Sequence, residues 1–377
     1  MNGAVPCRPD WGAKAPGRPY PRTPGVVLNE KASEMHEETA ARRSEAETEQ
    51  GVQSAESMQS AERSVATEAA ENADATAEER TSTDGSAETG GDRLATVTGE
   101  PPVVPEWKDY PEKDDGQQHT VVGTVRVMRG LHSPELGNAR DVLVYLPPSY
   151  ATDADRRYPV LYMHDGQNLF DRATSFSGEW EVDKTLEDAS AEGLETIVVG
   201  IANAGPERLD EYSPFVDAEH GGGRGDAYLD FVVHTLKPII DRNFRTLPER
   251  GSTGIAGSSM GGLITLYAFF RNAETFGFAG VMSPALWFAD RAIYAYVQAA
   301  PFVPGRIYVD VGTREGREEL ADVRRLRDIL IAKGYRKGRD FLYVVEMGGT
   351  HSEAAWARRL RKELQFLLDL PTPAAKA

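Results

Sequence analysis

Gly251-Ser-Thr-Gly-Ile-Ala-Gly-Ser-Ser-Met-Gly-Gly-Leu-Ile-Thr-Leu-Tyr-Ala-Phe-Phe270 decides how this chain is read. The part up to Ala256 has the character of a short strand, and the part from Gly262 onward that of a buried helix. Between them lies Gly257-Ser-Ser-Met-Gly261, a G-x-S-x-G pentapeptide centred on Ser259. A strand that passes through a sharp turn into a helix lifts one serine hydroxyl above the sheet edge, where a substrate can reach it. Glycines leave space for such a turn, because a side chain there would collide with the next strand or helix. The pattern points to acyl transfer through a covalent serine ester, with Ser259 as nucleophile. A pentapeptide this short also arises by chance as a glycine-rich turn carrying a solvent-facing serine. The surrounding sequence therefore has to carry the argument.

On the amino-terminal side, Thr120–Val127 alternates as a strand, and Ala139–Leu146 forms a second one ended by Pro147-Pro148, an antiparallel opening pair. The pattern then changes to continuous apolar strands at Tyr158–Met163 and Glu195–Ile201. Helices are predicted around Trp180 to Ala191 and from Asp226 to Asp241, the latter with Tyr228, Phe231, Val232, Leu236, Ile239 and Ile240 on one face. Beyond Ser259 come strands at Phe278–Met282, Arg306–Val311 and Phe341–Glu346, with helices over Glu318–Lys333 and Glu353–Leu368. Fully apolar strands separated by helices imply a mostly parallel sheet covered on both faces. Eight strands with an antiparallel start give the α/β-hydrolase layout, in which ligands bind beyond the carboxyl ends of the strands.

The first third of the chain has a different composition. Leu28–Arg93 holds 17 acidic and 6 basic residues, so it carries −11 of the net charge of −17. It has almost no large apolar residues and cannot bury enough surface to offset chain entropy, so disorder is expected there. Residues 94–118 read as a linker with Pro101, Pro102, Pro105 and Pro111. The domain plan is therefore a head and linker over 1–118, a catalytic domain over 119–370 and a tail over 371–377. Some 250 residues suffice for one substantial core. The acidic balance argues against nucleic acid or anionic membrane as a partner. The lone cysteine, Cys7, can form no internal disulfide. With no apolar signal segment and no membrane-length apolar run, a cytoplasmic protein is expected.

A serine hydroxyl needs a base near neutral pH, oriented by a carboxylate. In this layout the chain order is serine, acid, histidine. His351 is the only histidine after Ser259, and it lies just past the last predicted strand. The acid should lie after the penultimate strand, where two candidates fit, Asp310 and Glu315. Asp310 falls within its strand, whereas Glu315 lies on the following loop and is the favoured partner. An oxyanion hole would use the N–H of Met260 and a second donor from Gly166 or Gln167, in the loop after the Tyr158–Met163 strand. His164 and Asp165 are adjacent there, yet no metal-ligand spacing accompanies them, so no metal or other cofactor is expected. Trp287, Arg208, Trp180 and Tyr212 are candidates for the substrate cleft, although a tryptophan is more often core than contact.

Six blocks resemble the putative-esterase (esterase D) family in order and content. They are Tyr162–Asp171, Gly200–Asn203, Arg208 with Glu211–Pro214, Gly257–Gly262, Gly312-Thr313 and Gly348–Ser352. That family includes feruloyl, acetyl-xylan and enterobactin esterases, S-formylglutathione hydrolases and mycolyltransferases. The resemblance covers residues 120–368 and implies Ser259 as nucleophile, His351 as base and Glu315 at the acid position, where many members carry Asp. It implies a serine esterase acting on a small-molecule ester. Two other readings remain, an acyltransferase on the same fold and an inert scaffold acting through the acidic head.

Overall fold

The computed structural model describes residues 106–112 and 116–368. The expectations for the acidic head, for Cys7 and for the 371–377 tail lie outside the described residues. In chain order the elements are β1 (Lys108–Tyr110), β2 (Thr124–Ser133), β3 (Asn138–Leu146), β4 (Val160–His164), α1 (Val182–Ser190), β5 (Ile197–Ile201) and α2 (Arg208–Glu211). A two-stranded ribbon of β6 (Val216–Asp217) and β7 (Gly221–Gly222) follows, then a long helix α3 (residues 225–243) with a π-helical middle at Phe231–Leu236. The chain continues through β8 (Thr253–Ser259), α4 (Met260–Arg271), β9 (Phe278–Pro284), α5 (Phe288–Ala299), β10 (Arg306–Gly312), α6 (Arg317–Lys333), β11 (Phe341–Glu346) and α7 (Glu353–Leu367).

Nine strands form one sheet in the order β1-β2-β3-β5-β4-β8-β9-β10-β11. The pairs from β5 through β4, β8, β9 and β10 to β11 are all parallel, while β1, β2 and β3 join antiparallel. The apolar runs explain this. Every residue of β4, β5 and β9 is buried, which requires helices on both faces. Side chains alternate between two cores. Val160, Tyr162, Val199 and Ile255 face a larger core built with α3 to α6. Leu161, Met163, Val198 and Ala256 face a smaller one closed by Leu186 of α1 and by Trp356, Leu360 and Leu364 of α7.

The α/β-hydrolase expectation holds, with corrections in detail. The sheet has nine strands rather than eight, because β1 lies inside the segment read as linker. Pro105 and Pro111 interrupt any alternation there. What docks β1, besides its pairing with β2, is two aromatic anchors: Tyr110, which is buried and donates its hydroxyl to Asp171 at 2.7 Å, and Trp107 just ahead of the strand, whose ring meets Phe244 edge-on at 4.9 Å. Helix α5 and the β6–β7 ribbon were also not anticipated. Among the described residues no helix is long and apolar enough to cross a membrane.

Candidate active site

The strands β4, β5, β8, β9, β10 and β11 run parallel, so their carboxyl ends share one edge of the sheet. Ser259 is the last residue of β8, with φ 56° and ψ −123°, and Met260 opens α4. A non-glycine residue in this backbone region costs about 1–3 kcal/mol and is held only by its surroundings. Those surroundings are close. A Cβ at Gly257 would lie 2.8 Å from the His164 ring and 3.0 Å from the Gly261 carbonyl group. At Gly262 it would lie 2.9 Å from the Met282 carbonyl oxygen. The turn is further fixed by the Ala285 N–H, which donates to the Ser259 carbonyl at 2.9 Å. Because the first N–H groups of a helix lack partners within it, Met260 presents a donor beside the serine.

Glu315, on the loop after β10, and His351, between β11 and α7, are in contact. Nδ1 of His351 lies 3.1 Å from Oε2 of Glu315. The glutamate side chain is almost fully buried and the imidazole is one quarter exposed. Burial works to raise the Glu315 pKa. The hydrogen bond and charge of His351, followed by the Arg359 charge and the Ser283 hydroxyl, outweigh it, and the net shift is downward. A carboxylate can only accept, so Nδ1 carries the proton and Nε2 is left to act as a base. Asp310, the alternative acid, faces elsewhere. It lies fully buried inside β10 and takes hydrogen bonds from Arg359, the Tyr308 hydroxyl and the Ser283 N–H. Burial pushes its pKa up to about 6 despite the Arg359 charge. The strand position that disfavoured it in the sequence is what isolates it from His351.

The loop after β4 is pinned from two sides. A Cβ at Gly166 would meet the backbone of Gly200 in β5 at 2.5 Å, so glycine is required for this approach. Asp165 has a left-handed backbone, φ 55°, and is gripped by Arg208 through Nε at 2.7 Å and Nη2 at 2.9 Å, with Asn203 Nδ2 at 2.7 Å. Gln167 accepts the Asn203 N–H through its side-chain oxygen at 3.2 Å. Among the described residues no group of three or more His, Cys, Asp or Glu side chains is arranged to hold a metal.

The four cleft candidates separate. Tyr212 is fully buried, its hydroxyl accepting the Asp165 N–H at 3.1 Å, so it supports the loop from below. Trp180 is buried against Trp356, ring centres 5.4 Å apart, in the smaller core. Both are corrected from cleft to packing, because their rings are buried in the cores. Arg208 is tied to Asp165 and lies over the Tyr212 ring. Trp287, just beyond β9, is half-buried and meets the His220 ring edge-on at 5.4 Å. His220, Asn203, Ser283 and Arg359 were not singled out from sequence. The glycines at 221–223 are the one local signal that could have marked a ribbon beside His220, whereas nothing local marks Ser283 or Arg359.

Known proteins resemble this chain over most of its described length. A family model described as "Putative esterase" matches residues 133–367. The uncharacterized protein YbbA of Bacillus subtilis is 28% identical over 256 residues, covering 64% of this chain and 97% of that protein. An endo-1,4-beta-xylanase/feruloyl esterase of Xylanibacter ruminicola is 25% identical over 243 residues, covering 62% of this chain and only 30% of that longer protein. Among solved structures, the enterobactin esterase FES of Shigella flexneri shares the fold with a TM-score of 0.53 at 19% identity, over 66% of this chain and 60% of that one. With a match that spans well over half of its length, this chain belongs to the putative esterase family.

Proposed function

We propose that this esterase works through an acyl-enzyme on Ser259, with His351 as base and Glu315 as its orienting acid. The Ser259 hydroxyl attacks the acyl carbon while Nε2 of His351 takes its proton. The oxyanion is received by the Met260 N–H and by a second N–H from Gly166 or Gln167, each donor worth about 3 kcal/mol to the transition state. His351 then returns the proton to the leaving alcohol. Water, deprotonated by the same imidazole, attacks the acyl-enzyme and releases the acid. The observation that carries this reading is the 3.1 Å contact between Glu315 and His351 on the edge where Ser259 ends its strand in a strained turn. The substrate we propose is a small-molecule ester with a planar acyl or alcohol group. Trp287 and His220 offer an edge-to-face pair for it, and relatives are named as feruloyl and siderophore esterases.

The test is Ser259→Ala, assayed on p-nitrophenyl acetate and on feruloyl and catecholate esters. We expect kcat to fall by about 10⁴-fold or more with thermal unfolding unchanged. A variant that keeps most of its activity would refute the nucleophile.

A further inference from the structure

We propose that Ser283 and Arg359 are positioning residues that select which oxygen of Glu315 faces His351. The proposal rests on Glu315 being the acid of the Ser259–His351 pair. Ser283 is the penultimate residue of β9, the strand beside β10, and its backbone adopts φ 39°, like Ser259 a non-glycine residue held on the positive side. Its hydroxyl has one proton and two lone pairs. Trp356 Nε1 reaches Oγ at 3.0 Å and Arg359 Nη2 reaches it at 2.8 Å, and both atoms can only donate. Both lone pairs are thereby filled. The single hydroxyl proton must go to the remaining neighbour, Oε1 of Glu315 at 2.8 Å.

That oxygen also accepts the Gly312 N–H at 2.6 Å and faces Arg359 Nη2 at 3.4 Å. Oε1 is saturated, so Oε2 alone is turned to the imidazole. A glutamate has one more rotatable bond than an aspartate, and this cage removes that freedom. Arg359 also spans Asp310 through Nε at 2.7 Å and Glu346 through Nη1 at 2.8 Å. Of the charged groups around this pair, Asp310 of β10 and Arg359 of α7 act on Glu315, Glu319 of α6 acts on both Glu315 and His351, and Glu346 of β11 and Glu363 of α7 act on Arg359. Arg359 supplies positive charge against that acidic surround. Trp356 adds a steric wall, its ring meeting His351 edge-on at 5.0 Å.

A purely structural role for this cluster would predict something different, and a double-mutant cycle separates the two. Ser283→Ala, Glu315→Gln and the double variant are assayed on p-nitrophenyl acetate across pH, with thermal unfolding measured in parallel. We expect Ser283→Ala to lower kcat by about 10-fold to 100-fold, the effect of one hydrogen bond to a charged group, with KM little changed. The acid limb of its pH profile should move to higher pH, since one fewer donor holds the Glu315 carboxylate ionised. In the Glu315→Gln background the same change should cost less than about 2-fold, because no carboxylate remains to be aimed. Arg359→Lys, which keeps the charge and loses the fork, should fall between wild type and Ser283→Ala. Equal losses from Ser283→Ala in both backgrounds with an unmoved acid limb would overturn the proposal. So would full activity of Ser283→Ala while Glu315→Gln is inactive, which leaves the acid assignment standing. Full activity of Glu315→Gln would instead remove the acid assignment itself, and the proposal with it.

Discussion

Two histidines stand on either side of the Ser259 turn, each next to a carboxylate held by an arginine, and they differ in every chemical respect that matters. His164 ends β4 beside Asp165 and Arg208. His351 follows β11 and touches Glu315, which Arg359 faces from behind. Asp165 gives its oxygens to Arg208 and Asn203, so none reaches the His164 ring. Nδ1 of His164 meets the Tyr228 hydroxyl at 2.7 Å instead, and Nε2 has no hydrogen-bond partner. Burial pushes the His164 pKa down to about 3, against the opposing pull of Asp165. It is a neutral, packed ring that supports Gly257 and Gly261 of the turn. A histidine, an acid and an arginine in proximity therefore do not make a base. The carboxylate must reach the ring, and the ring must keep an open edge.

The comparison breaks most sharply at the histidines themselves. His351→Gln should lower kcat by about 10⁴-fold or more, as loss of a general base does in a serine hydrolase. His164→Gln should cost stability, and the acid limb of the kcat/KM profile should stay where it is, because a group that titrates near 3 is neutral throughout the assayed range. Steady-state kinetics across pH for both variants decides this. A moved acid limb in the His164 variant would mean that both rings take part.

The arginine partners sharpen it next. Asp165→Asn keeps the left-handed backbone, which asparagine tolerates, and removes the charge facing Arg208. Breaking a largely buried pair in this way should destabilise by about 3 kcal/mol near neutral pH, read by urea denaturation. The sign follows from the Asp165 pKa. Burial raises it, but the Arg208 charge and hydrogen bonds and the Asn203 amide bring it below the ordinary value. The contribution is therefore present above the unfolded-state pKa and lost as pH falls through the folded one. The gap between variant and wild type should close in acid.

Much of this was legible in the chain. The run from Gly251 to Phe270 fixed the strand, the turn and the helix, because glycine spacing and apolar continuity are local properties. His351 and Glu315 could be picked out by their place after predicted strands, since in a parallel sheet the carboxyl ends share one edge. What escaped was non-local. Ser283 and Arg359 lie 76 positions apart in sequence, and no periodicity within either segment marks them as neighbours. Tyr212 and Trp180 look the same in sequence whether they line a cleft or fill a core. Burial alone separates them, and burial is a property of the assembled sheet. Strand β1 escaped because two isolated aromatics, Trp107 and Tyr110, dock it rather than a repeated pattern.

The smallest effect concerns Glu363, which sits beside Arg359 in α7. It is fully buried and neither carboxyl oxygen has a hydrogen-bond partner. It packs over Gly280, where a Cβ would overlap Oε1. Burial, aided by the nearby Asp310 charge and only partly opposed by Arg359, drives its pKa well above the ordinary glutamate value. The folded protein therefore binds this proton more tightly than the unfolded chain does. Stability from this group is complete in acid below the unfolded-state pKa and declines as pH rises toward the folded one. Glu363→Gln is neutral at every pH and removes that decline. We expect it to raise Tm by about 2–6 °C near pH 8 and to leave Tm unchanged near pH 4, as calorimetry would show. Equal shifts at the two pH values would mean that Glu363 does not titrate with folding.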